Sequence, residues 1–229
     1  MNRKLNHALA SLVLMYSATA WSQEATMATI QGEDGYTMSG ETECGGKATA
    51  TIRPGERFIV REFSNDEKDW EAYLKSGISG TIPRNRVRVL PDEPLAKLNF
   101  DSCKKKWRKL QSKPIKMTDH VAYSAKKYSG VANYYKTLVQ ASEGDAKAFG
   151  QFISLQPDGV AGDEKELDTW VLFHVAGDDT FAKLLAGQSS EVREGWAAWF
   201  SRFAVRPISN PKAYIKLNFP KTYALLYGR

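Results

Sequence analysis

Apolar positions along the chain change period near its middle. Before residue 90 they fall in short, partly alternating runs: Ala48-Thr49-Ala50-Thr51-Ile52, then Arg57-Phe58-Ile59-Val60-Arg61-Glu62-Phe63. Asp69 to Lys75 alternates most clearly, with Trp70, Ala72 and Leu74 on one face. Ile78 to Ile82 and Arg86 to Leu90 complete the set, and turns fall at Arg53-Pro54-Gly55-Glu56, Ser64-Asn65-Asp66 and Ser76-Gly77. Short β-prone runs at close spacing predict a small barrel or sandwich. Gln23 to Gln31, polar and rich in small residues, reads as a flexible start.

Pro91-Asp92-Glu93-Pro94 breaks this pattern. A helix capped by Asp101 or Ser102 is predicted from Cys103 to Gln111, ahead of Pro114. Beyond residue 128 the apolar period lengthens to three and four: Tyr135, Leu138 and Val139; then Ala148, Phe149, Phe152 and Ile153 behind an Asp145 cap. Leu167, Trp170, Val171 and His174 form the next stripe, Phe181, Leu184 and Leu185 another, and Val192, Trp196, Trp199 and Phe203 another. A last helical piece is predicted around Pro220. Gly144-Asp145 and Gly177-Asp178 echo one another at a spacing within the range of helical-hairpin repeats, as in a HEAT-like stack. The plainer reading is that each pair ends one helix and caps the next.

The first residues set the compartment. Arg3 and Lys4 precede an apolar run from Ala8 to Tyr16, and Ala18-Thr19-Ala20 offers a small-residue cut before Trp21, with an equivalent cut before Gln23. This layout reads as a secretory signal peptide over residues 1–22, leaving a soluble chain of roughly 207 residues for the periplasm or beyond. The only two cysteines, Cys44 and Cys103, lie 59 positions apart in the exported part. In an oxidising compartment they are expected to pair, the alternative being two separate buried thiols.

The formal charge of +6 is unevenly placed. Between Lys97 and Lys136 stand eleven Lys and Arg against Asp101 and Asp119 alone. Lys104, Lys105, Lys106 and Arg108 are the densest part. The patch reads first as a solvated linker helix, next as a contact for an anionic envelope surface, and least as a nucleic-acid site, since an exported protein meets little nucleic acid. The expected organisation is therefore β followed by α: a small barrel or sandwich up to about residue 92, a basic linker and helix over 93–127, and a helical domain over 128–229.

Ile52-Arg53-Pro54-Gly55-Glu56-Arg57-Phe58-Ile59-Val60, the aromatic strand Asp69 to Leu74, the turn Ser76-Gly77-Ile78-Ser79-Gly80 and the closing Val87 to Leu90 stand in the order of the bacterial SH3-like domain, which residues 28–92 resemble. Gly35 to Gly40 lacks that family's Arg and Pro, and Gly80-Thr81 stands where the family has Gly-Trp, departures that bear on the binding groove more than on the fold. The resemblance implies a non-catalytic module that binds a cell-wall peptide or an envelope protein. Tyr36 and Tyr73 are its expected exposed platform, and Trp70 its core aromatic.

Catalytic and metal motifs are sparse. His120 and His174 have no second His or Cys at ligand spacing, so neither a zinc site nor a cofactor is expected. The acids Asp158, Asp163, Glu164, Glu166 and Asp168 lack the order of a calcium loop and read as an acid-rich helical turn. SH3-like domains are often joined to cysteine peptidases of the NlpC/P60 type. Phe100-Asp101-Ser102-Cys103-Lys104, however, has neither the Asp-Cys-Ser-Gly order nor the strands that should follow. The expectation is a binding protein. An envelope inhibitor or immunity-type protein acting through the helical part is the second reading, and a cell-wall hydrolase using carboxylates the third.

Overall fold

The computed structural model describes residues 25–62, 68–202, 208 and 210–228. The expected signal segment, Phe63, the turn at 64–66 and Phe203 lie outside the described residues.

Seven strands come first: β1 (Thr26–Ile30), β2 (Tyr36–Thr42), β3 (Lys47–Ile52), β4 (Phe58–Glu62), β5 (Asp69–Tyr73), β6 (Ile78–Pro83) and β7 (Val87–Leu90). They form one antiparallel sheet in the order β3-β2-β6-β5-β4-β1-β7, with β3 and β7 as its edges, so the sheet is not closed into a barrel. Eight helices follow: α1 (Asp101–Leu110), α2 (His120–Tyr128), α3 (Tyr134–Ser142), α4 (Ala146–Ile153), α5 (Val160–Ala186), α6 (Ser190–Arg202), α7 (Pro211–Asn218) and α8 (Pro220–Tyr227). The β-then-α order is as expected, but the start is different. Thr26 to Ile30 is not a flexible lead-in. It is β1, paired with β4 on one side and β7 on the other, and Met27 to Ile30 are all buried. Thr26, Thr29 and Ile30 are β-branched and suit a strand, and pairing on both edges fixes it as one.

The two faces of the sheet serve two cores. Ala28, Phe58, Val60, Ala72, Ile82 and Val87 fill one core within the sheet. The opposite face carries Met27, Ile59 and Tyr73 in register across β1, β4 and β5. This row belongs to the helical core, together with Leu98 and Phe100. Burial on both sides explains the unbroken apolar run Phe58-Ile59-Val60. Trp70, Ala72 and Leu74 do face the sheet core; Ala72 and Leu74 are buried, and Trp70 packs at its margin with the Arg84 guanidinium 4.6 Å over its ring.

Where β2 meets β6, Gly40 and Gly80 stand opposite one another. A Cβ on Gly40 would lie 1.9 Å from the Ser79 carbonyl oxygen, and one on Gly80 2.7 Å from that of Ser39. Gly40→Ala therefore has to push these strands apart and is expected to cost about 2 kcal/mol, read as a lower urea midpoint.

Residues 93–127 are not a solvated linker. Leu98, Phe100, Cys103, Trp107, Val121, Ala122 and Ala125 are core residues; of the basic side chains of α1, Lys105, Arg108 and Lys109 are exposed, while Lys106 turns toward the loop that carries Cys44. The Asn99 amide donates to the Lys75 carbonyl (2.9 Å) and the Ala96 N–H points to the Met27 sulfur (3.4 Å), so the connection lies along the sheet. The two Gly-Asp pairs differ in use. Asp145 caps its own helix, accepting from the Ala148 N–H at 2.9 Å. Gly177, at φ 74°, kinks α5, and Asp178 accepts from the Lys221 and Thr222 N–H groups (2.9 and 2.8 Å), capping α8 instead.

Candidate functional site

Cys44 and Cys103 are joined, with Cα atoms 5.4 Å apart. The bridge holds the turn between β2 and β3 against α1. Lys106, one turn further along α1, donates from Nζ to the carbonyls of Cys44 and Gly45. Beside this tie an open pocket of about 310 Å³ sits at the junction of sheet and helices, walled by Lys106, Trp107 and Leu110 of α1 and Asp119 ahead of α2. Tyr135 of α3 and Glu164, Leu167 and Asp168 of α5 close it.

Three carboxylates converge here, each held by the protein. Asp119 accepts from the Lys116 N–H (3.0 Å). Glu164 accepts from the Val121 N–H (2.8 Å) and shares a hydrogen bond with His120 Nδ1 (3.0 Å). Asp168 accepts from the Tyr134 hydroxyl (2.8 Å), with Trp107 beside it in the pocket wall. Glu164 and Asp168 share a helix face because they are four residues apart. Burial pushes the Tyr135 hydroxyl pKa well up, and the charges of Asp119, Asp168 and Glu164 around it push further. Asp168 is densely surrounded by protein while keeping partial access to the pocket. Burial raises its pKa to about 7, and the hydrogen bond from Tyr134 only partly offsets this.

The residues singled out from sequence are dispersed. Tyr73 is 3% exposed and is no platform, because the helical layer covers its face of the sheet. Tyr36 is half-buried, with the Arg86 guanidinium 6.0 Å from its ring. Lys104 and Arg108 both reach Glu143 (3.3 and 2.6 Å), Lys105 faces solvent, and Lys106 alone of the basic run lines the pocket. The helix period of 3.6 residues splits the run in this way. Asp119, Tyr135, Glu164 and Asp168 were not foreseen as partners; the one sequence signal was the i, i+4 spacing of Glu164 and Asp168. His174, by contrast, is a satisfied core residue: one ring nitrogen meets the Trp170 carbonyl and the other the Tyr214 hydroxyl, both at 2.9 Å. Among the described residues no group of three His, Cys, Asp or Glu is arranged to hold a metal ion, and no helix is long and apolar enough to cross a membrane.

Family models, curated proteins and solved structures were each compared with the chain, and none matches it.

Proposed function

We propose that this is an exported, non-catalytic binding protein of the cell envelope. The pocket between sheet and helices takes a cationic group presented by a cell-wall peptide. The observation that carries this reading is the convergence of Asp119, Glu164 and Asp168 around Tyr135 in an open pocket whose lysine is already engaged by the Cys44 and Gly45 carbonyls. An arriving ammonium or guanidinium would meet preformed acceptors and would restore the charge that burial withholds from Asp168. The disulfide supports export, since such bridges persist in oxidising compartments. The resemblance of residues 28–92 to SH3-like domains supports the envelope peptide as ligand.

The direct test is retention on purified peptidoglycan, followed by calorimetric titration with its soluble peptides. Binding should weaken as pH falls below about 7, because protonated Asp168 no longer attracts a cation. Asp168→Asn should weaken binding about tenfold at pH 8, equivalent to about 1.4 kcal/mol. The same variant should be more stable than the parent at pH 8. A carboxyl whose folded pKa lies above its unfolded value favours the fold at low pH and loses that contribution as pH rises through the folded value. Discounted for the partial access of Asp168, relief from this is about 1 kcal/mol. Peptide binding unchanged by Asp168→Asn would remove the pocket from the function.

A second reading, an envelope inhibitor, is favoured by Leu167, an exposed apolar residue that lines the same pocket. A protein partner inserting one Lys or Arg would cover it. Co-purification of a stoichiometric partner that is lost in Asp168→Asn, with no retention on peptidoglycan, would select it.

A further inference from the structure

A larger groove, about 620 Å³, lies on the other side of α5, between that helix, α4 and α6. Two helical glycines, Gly150 and Gly195, line it. A Cβ on either would meet nothing within 4 Å, and neither has a positive φ. Glycine weakens a helix interior relative to alanine, so packing, turn geometry and helix propensity all fail to account for both. Their shared consequence is space in the groove. Trp196 and Trp199 line the same space. Trp196 is held by stacking on Phe149, with planes 18° apart, and it meets Trp199 edge-on at 5.6 Å. Trp196 is itself buried, so it backs Trp199, which is only partly buried and presents the accessible ring. Around these rings stand Gln156, Gln188 and Glu166, which offer amide and carboxyl groups.

An aromatic wall offers a flat apolar surface, while neighbouring amides and a carboxylate accept and donate hydrogen bonds. A pyranose ring has the matching chemistry: C–H groups on one face and hydroxyls around its edge. A fatty chain would leave the polar rim without partners, and an enclosed apolar cavity, not an open groove, would suit it. We propose that this groove binds a short neutral oligosaccharide, stacked on Trp199 and seated in the space left by the two glycines. The site is separate from the acidic pocket and does not rest on the peptide reading.

The test is titration of the whole exported chain with triacetylchitotriose, cellotriose and maltotriose, followed by tryptophan fluorescence. A saturable change with at least one is expected. Gly150→Leu fills open space on a helix and should leave the thermal midpoint equal or higher while weakening binding at least about tenfold. Trp199→Ala should weaken it by a similar factor, and Asp168→Asn should leave it unchanged. The proposal is overturned if none of the three sugars gives saturation, if Gly150→Leu binds as the parent does, or if a fatty acid competes for the site.

Discussion

Replacing Cys44 and Cys103 together by serine is expected to lower the unfolding free energy by about 4 kcal/mol, from the entropy of the 59-residue loop that the bridge closes. Cys103 is fully buried on α1, and Cys44 sits in the turn that α1 holds against the sheet. The bridge therefore joins the two layers of the molecule, and its loss frees the turn that forms one wall of the acidic pocket. Urea unfolding of the parent with and without reductant, alongside the double variant, measures the effect. The reduced parent and the double variant should share a lowered midpoint. The ligand of the pocket should also bind more weakly, because Lys106 anchors on carbonyls of that turn. A midpoint unmoved by reduction would show that the helical layer alone holds the turn.

The second large effect is expected at Tyr214. Its hydroxyl accepts from the Leu98 N–H (3.0 Å) and donates to His174 Nε2 (2.9 Å), while His174 Nδ1–H donates to the Trp170 carbonyl (2.9 Å). This short relay ties the connection after the sheet to α5 and α7. Tyr214→Phe keeps the ring and strands two buried groups, one amide and one imidazole nitrogen, at a cost of about 2–4 kcal/mol. The relay also needs His174 uncharged: burial lowers its pKa to about 3, with only partial compensation from the Trp170 carbonyl. A histidine depressed in the fold stabilises nothing above its unfolded value near 6.5 and removes stability as pH falls from there toward 3. Unfolding at pH 7 and pH 4.5 should show a parent much weaker in acid. Asp168 acts in the opposite sense over part of this range, so Asp168→Asn should be the more acid-sensitive protein relative to its own stability at pH 8. Equal stability of Tyr214→Phe and the parent would show that water replaces the hydroxyl.

Much of the architecture was legible in local pattern. The alternation of Trp70, Ala72 and Leu74, the cap at Asp145 and the stripe through Trp170 and His174 are read from residue period and cap chemistry, both of which act within a few residues. The misses have two causes. Met27 looked like part of a loose start and Tyr73 like an exposed ring because each lies on a sheet face whose cover comes from residues 98–100 and beyond. Lys104 to Arg108 looked like one basic patch because charge along a sequence does not show how a helix distributes it.

By itself, then, the sequence determined the change from strand to helix period, the break near residue 91 and the pair of cysteines available for a bridge. Only the tertiary structure decided that β1, β4 and β5 are buried on both faces. It alone brought Asp119 and Tyr135 to the pocket that Glu164 and Asp168 line, and Gly150 of α4 to the groove that Gly195 and Trp199 of α6 line. Periodicity reports which side of an element is apolar; what lies opposite that side depends on contacts between distant segments, and those are set by packing.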